Sequence, residues 1–149
     1  MTEAAHGLVD YFTADHRSCD EQWAAVEAAG ETGDRARTEA AWKLFDGWMR
    51  THLGNEEELL FPAFEAATGM TKAGPTFVMR SEHEQMRALL GRMQAAVERG
   101  DLRELLDQGD TLLLLIGQHN SKEEGMLYPL AERALAARWP EIRARLRTR

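Results

Sequence analysis

The chain carries one set of histidines and glutamates twice, at a constant offset of sixty-seven positions (83 − 16 = 67). His16 maps onto His83, His52 onto His119, Glu56 onto Glu123 and Glu57 onto Glu124. The flanks keep the same shift: Phe61-Pro62 maps onto Tyr128-Pro129, and Gly33-Asp34 onto Gly100-Asp101. An ungapped repeat that preserves four histidines and two glutamates predicts two helical hairpins about a pseudo-twofold axis, each delivering half of one central site. A pair of bound metal ions is the chemistry that suits such a set.

Apolar periodicity supports the hairpins. Leu8, Phe12, His16, Cys19, Trp23 and Val26 recur at helical spacing over 4–29. A second helix over 34–67 carries Trp42, Phe45, Met49, His52, Glu56 and Leu60 on one stripe. The third, over 75–99, turns Phe77, Met79, His83, Met86, Leu90 and Met93 inward. The fourth mirrors the second through Leu112, Ile116, His119, Glu123, Met126 and Leu127. Asp34 and Asp101 are placed as N-caps after glycine breaks, and Pro75 suits a first helical turn. Pro62 and Pro129, each six residues past a repeated glutamate, predict equivalent bends. The expected fold is all-α: an up-down-up-down four-helix bundle in a single domain over 1–149. Its first hairpin covers 1–68 and its second 75–135. The tail, 136–149, contains a short helix starting at Pro140.

A net charge of −7 argues against a nucleic-acid partner, which needs a basic face. Arg143, Arg145, Arg147 and Arg149 form a local exception, read as a solvated, frayed end. The single cysteine, Cys19, excludes an intramolecular disulfide. The longest aliphatic run, Leu112 to Ile116, is too short to cross a bilayer, and no leader-like segment opens the chain. A cytoplasmic protein without a membrane partner is expected.

In His52-x-x-x-Glu56 and His119-x-x-x-Glu123 the paired side chains lie one turn apart on the buried helix face. A buried carboxylate costs several kcal/mol, on the order of 3–5, unless a cation or hydrogen bonds compensate. Four imidazoles and two carboxylates with no matching lysine or arginine therefore call for divalent metal. The expected ligands are His16, His52, Glu56, His83, His119 and Glu123. Two histidines serve each metal, both glutamates bridge, and a shared oxo or hydroxo group leaves each ion an open position.

The segments Asp15-His16-Arg17, HLGNEEELLFP (52–62), MRSEHEQMR (79–87) and HNSKEEGMLYP (119–129) resemble the hemerythrin-like HHE cation-binding domains. The resemblance covers all but the basic tail. It implies a non-heme di-iron four-helix bundle with the same six residues as iron ligands; zinc or manganese are possible substitutes. Oxygen carriers of that type have a further histidine four residues after the third-helix ligand. Arg87 stands there in this chain and cannot ligate iron, so a symmetric site with two histidines per iron is expected.

The function implied is binding of O2, NO or peroxide in sensing, detoxification or stress response. Alternatives are an iron donor that repairs damaged iron–sulfur clusters, ferritin-like storage, and a metal-free interaction bundle. The sequence offers no separate catalytic acid or base. Around the site, Asp15, Glu82, Glu57 and Glu124 are either partners of the ligands or solvated. Asp20 and Arg87 are placed to pair across the bundle, and Cys19 and Met86 are read as core filling. Tyr128 is expected to pack its ring and send its hydroxyl toward water or backbone.

Overall fold

Each half is started and closed by its sequence punctuation. Asp34 accepts a hydrogen bond from the Arg37 amide at 3.1 Å, and Asp101 one from the Glu104 amide at 3.0 Å. The preceding glycines, Gly33 and Gly100, adopt φ of 77° and 72°, which a side chain would disfavour. In the computed structural model, which describes residues 7–148, all regular structure is helical. Helices α1 (Leu8–Glu31) and α2 (Arg35–Asn55) pack on each other, as do α4 (Pro75–Glu98) and α5 (Leu102–Lys122). Contacts of α1 with α5 and of α2 with α4 join the two pairs. Short helices α3 (Phe61–Thr68), α6 (Tyr128–Ala134) and α7 (Trp139–Arg145) complete the chain. The expected start of the first helix at residues 4–6 lies outside the described residues. No helix among the described residues is long and apolar enough to cross a membrane.

The expected proline bends take a specific form. Between α2 and α3 the chain makes one π-helical turn, π1 (Glu56–Leu60), and between α5 and α6 a second, π2 (Glu123–Leu127). The Phe61 amide bonds the Glu56 carbonyl five residues back, and the Tyr128 amide bonds that of Glu123. Each turn opens on a repeated glutamate and ends two residues before its proline, which has no amide hydrogen to continue the ladder.

Apolar side chains form two clusters. One surrounds Trp23, Trp42, Phe45, Leu90 and Met93; the other surrounds Phe12, Phe61, Phe64, Leu127 and Tyr128. On α1 and α4 the repeated histidine falls between members of the two clusters, His16 between Phe12 and Cys19 and His83 between Met79 and Met86. Two residues expected to face inward do not. Phe77 is 54% exposed because Thr76, one position earlier, takes the inward place and donates to Glu65 at 2.7 Å. Met126 is 48% exposed because the extra residue of π2 carries it off the α-helical stripe.

The clusters break the pseudo-symmetry by exchanging large and small residues. Trp23 packs over Gly109, where an added Cβ would lie 2.1 Å from the indole ring. Their repeat equivalents are Leu90 and Trp42, so bulk moves from one member of the pair to the other and core volume is kept.

The basic tail is not a frayed end. Ile142 and Leu146 are buried in the second cluster. The Arg147 amide donates to Asn55 Oδ1 at 2.9 Å, and Asn55 Nδ2 donates to the Arg147 carbonyl at 3.0 Å. The Arg147 side chain pairs with Glu58, and Arg143 lies 5.2 Å from the Tyr11 ring centre. Arg149 lies outside the described residues.

Gly109→Ala should destabilise the protein by about 1–3 kcal/mol through overpacking, despite the roughly 1 kcal/mol gained in helix propensity. In a Trp23→Leu background the same change should become neutral or stabilising. Urea denaturation of the single and double variants measures both.

Candidate metal centre

The repeat places six polar side chains where the apolar clusters meet. His16, His52, Glu56, His83, His119 and Glu123 are each 4% exposed or less. Their inward atoms converge. His83 Nε2 and His119 Nε2 are 3.2 Å apart, and His119 Nε2 lies 3.1 Å from Glu123 Oε1. On the other side His16 Nε2 lies 3.0 Å from Glu123 Oε1, and His52 Nε2 lies 3.3 Å from Glu56 Oε1. Glu56 Oε1 also sits 3.1 Å from His83 Nε2, so each glutamate reaches histidines of both halves. Two groups of donors close enough to share an ion result: Glu56, His83, His119 and Glu123, and His16, His52 and Glu123.

The outer nitrogen of every imidazole is engaged by a carboxylate. His16 Nδ1 bonds Glu124 at 2.8 Å, His52 Nδ1 bonds Asp15 at 2.8 Å, His83 Nδ1 bonds Glu57 at 2.8 Å, and His119 Nδ1 bonds Glu82 at 2.9 Å. All four acids flank repeated site residues in sequence, yet each serves a histidine on a neighbouring element. The bonds join α1 to α2, α4 to α5, α1 to π2 and α4 to π1, closing a ring around the centre. An Nδ1–H donated outward leaves the Nε2 lone pair of a neutral imidazole aimed inward.

Three of those inward atoms lack a hydrogen-bond partner. His52 Nε2, Glu56 Oε1 and Glu123 Oε2 are buried without a hydrogen bond. Burying such atoms unsatisfied costs about 1–3 kcal/mol each, and facing lone pairs repel. Nitrogen and carboxylate donors gathered in this way fit a cation, which is what they lack.

Without a cation, protons take its part. Burial opposes charge on His83, but the close approach of the Glu56 carboxylate, the hydrogen bond to Glu57 and the negative field of Glu123 outweigh it, raising its pKa to about 9. His52 is likewise raised well above the usual range; burial opposes this, and Glu56 and Asp15 prevail. Glu56 is held well below its ordinary value by His52, against a burial effect that would raise it.

Other sequence expectations resolve differently. Arg87 donates to Glu57 at 3.0 and 3.3 Å and makes no bond to Asp20. Asp20 is raised above the normal carboxylate range by burial and by the nearby Glu124 charge. Cys19 and Met86 are buried in the core, as read from sequence, and with Met49 and Ile116 they line a small cavity against His16, His52 and His119. Tyr128 overturns its expectation, because its hydroxyl points into the centre. It donates to Glu56 Oε2 at 2.6 Å and lies 2.9 Å from Glu123 Oε1 and 3.0 Å from His16 Nε2. Burial and the two glutamate charges raise its pKa well above that of free tyrosine.

A helical domain with buried histidine–carboxylate clusters between cross-packed helix pairs belongs to the class of cation-binding helical proteins. The hemerythrin HHE cation binding domain family matches residues 7–131, and the chain belongs to it. No curated protein and no solved structure matches the chain.

The sign of the pH dependence follows from His83. Its contribution to the stability of the metal-free protein is complete below about pH 6.5, the unfolded value. It falls as pH rises and is gone once the folded value of about 9 is passed. Thermal melts of metal-free protein should therefore lose stability from about pH 6.5 to 9. Metal-loaded protein, whose cation replaces the protons, should not show this slope. A flat metal-free profile would refute the assignment.

Proposed function

We propose that this protein is a non-heme di-iron protein in which His16, His52, Glu56, His83, His119 and Glu123 hold two irons. In this reading its four long helices run up-down-up-down about the centre, and it binds a small oxidant or diatomic, O2, NO or peroxide. The observation that carries the reading is the set of orphaned buried atoms, His52 Nε2, Glu56 Oε1 and Glu123 Oε2, at the meeting point of four inward imidazoles. Family membership supplies the cation-binding expectation independently.

The cavity beside the histidines supports a small, weakly polar ligand. It is lined by Cys19, Met49, Leu53, Met86 and Ile116 on its apolar side, and offers about 10 Å3 of positions for the centre of a water-sized molecule. That is room for about one water-sized molecule, while an organic substrate would need the bundle to open. Two irons supply reversible electron transfer and positions open to such a ligand. The chain's residues hold, orient and seal: the carboxylate ring fixes each imidazole, and the two clusters keep bulk water out. Burial of all six donors to 4% exposure or less disfavours the iron-donor alternative, which needs metal that leaves readily.

Anaerobic loading with ferrous iron followed by elemental analysis tests the reading. Two irons per chain are expected, with an absorption spectrum that changes on exposure to air, on reduction and on addition of NO. Retention of less than one iron per chain would sink it. His52→Ala and Glu56→Ala should each lose metal and lower the melting temperature of the loaded protein. Asp15→Ala or Glu82→Ala, which remove only an outer partner, should weaken metal retention by about 10–100-fold.

A further inference from the structure

The two histidine pairs do not have equal surroundings, and Tyr128 is the largest difference. Its repeat equivalent is Phe61, whose ring packs on His83 with centroids 5.3 Å apart and whose face is covered by the Arg80 guanidinium at 5.3 Å. The His83 side therefore has a phenyl ring backed by a cation. At the same place the His16 side has a phenol oxygen.

That oxygen is in an unbalanced environment. Three acceptors lie within 3.0 Å of it: Glu56 Oε2, Glu123 Oε1 and His16 Nε2, whose ring donates its other N–H to Glu124. A phenol carries one hydrogen and satisfies one of the three. The remaining contacts set lone pair against lone pair, and a positive charge among these atoms relieves them.

The spacing is also that of ligands. Donor atoms at right angles on one ion, with bonds of about 2.1 Å, lie about 3.0 Å apart. Tyr128 Oη, His16 Nε2 and Glu123 Oε1 form a triangle with sides of 3.0, 2.9 and 3.0 Å. The contacts among donors of the other pair are alike, at 3.1 to 3.2 Å. The His83 group offers four protein donors and the His16 group three. The phenol oxygen brings the second group to four.

We propose that Tyr128 is a seventh protein ligand, binding through its phenol oxygen the cation held by His16 and His52, so that the two cation positions are unequal. The inference rests on the di-iron reading above. As the oxygen–metal bond forms, the phenol O–H bond breaks and its proton passes to the buffer; no electron is transferred. The His16 group then has two anionic donors, Glu123 and the phenolate, against the two carboxylates Glu56 and Glu123 of the His83 group, so the positions differ in the kind of oxygen they offer and in the cations behind them: Arg87 backs Glu57 and Arg80 backs Phe61 on the His83 side.

Iron-loaded, air-oxidised protein provides the test, read by iron content, visible absorption and resonance Raman scattering. Tyr11 and Tyr128 are the only tyrosines, which makes assignment direct. The expected result is a phenolate-to-iron charge-transfer band with phenolate vibrations in the unaltered protein and in Tyr11→Phe, absent from Tyr128→Phe. The last variant copies the residue of the other half, and circular dichroism checks that it folds. It should also release one of its two irons to a chelator about tenfold faster or more. Two irons per chain with no such band, or the same band in Tyr128→Phe, would overturn the ligand assignment while leaving the di-iron reading intact. Fewer than two irons in the unaltered protein would overturn both.

Discussion

The structure depends on a closed ring of four imidazole–carboxylate hydrogen bonds around a centre crowded with acceptors. Each bond, at 2.8 or 2.9 Å, ties a histidine on one helix to an acid on its neighbour, so the ring is both a tertiary clamp and a means of aiming. Without these acids the imidazoles would be free to rotate and turn either nitrogen inward. With them, four Nε2 atoms face the two glutamates. The convergence is unfavourable for the bare chain, which explains why protons are held so firmly on His52 and His83. A cation removes the conflict, so folding and cation binding are coupled.

The π-turns place the rest of the centre. In an α-helix each residue advances about 100°, so a side chain five positions on is about 140° away from the first. A turn closed by a bond to the fifth residue brings that side chain back toward the same face. This is how Tyr128 comes to lie beneath Glu123, and Phe61 beneath Glu56. The prolines that follow keep the irregularity where it is, since neither can donate the amide that would return the ladder to α-helical register.

Pseudo-symmetry holds closest to the centre and loosens away from it. The six inward residues and four outer acids obey the repeat throughout. One shell further out the repeat changes residue type: Arg87 corresponds to Asp20, Tyr128 to Phe61, Leu90 to Trp23 and Gly109 to Trp42. The tail's polar contacts with Asn55 and Glu58 have no counterpart in the other half, where Lys122 is the repeat equivalent of Asn55. Donor geometry tolerates little change, whereas core volume can be redistributed between facing residues.

Much of this was legible in the sequence, for a physical reason: helical periodicity and a fixed offset are local properties. The helices, their aspartate caps and the six inward residues could be read from spacing, and the family from the resemblance of four short segments. What a helix wheel cannot contain is a contact between elements. Asp15 sits one residue before His16, about 100° away from it, and so looks solvated until the neighbouring helix brings His52 to it. The repeat relates Arg87 to Asp20 and suggests that they pair, but the packing of α4 against π1 gives Arg87 to Glu57 instead. The basic end looked solvated because its buried partners, Asn55 and the second apolar cluster, are ninety residues away or belong to other helices. The outward turn of Met126 and the inward turn of Tyr128 follow from one inserted residue in the hydrogen-bond ladder, which the 3.6-residue period does not register. The sequence by itself determined which groups gather at the centre; the tertiary structure decided what each one touches, because that depends on distances between helices that no single helix encodes.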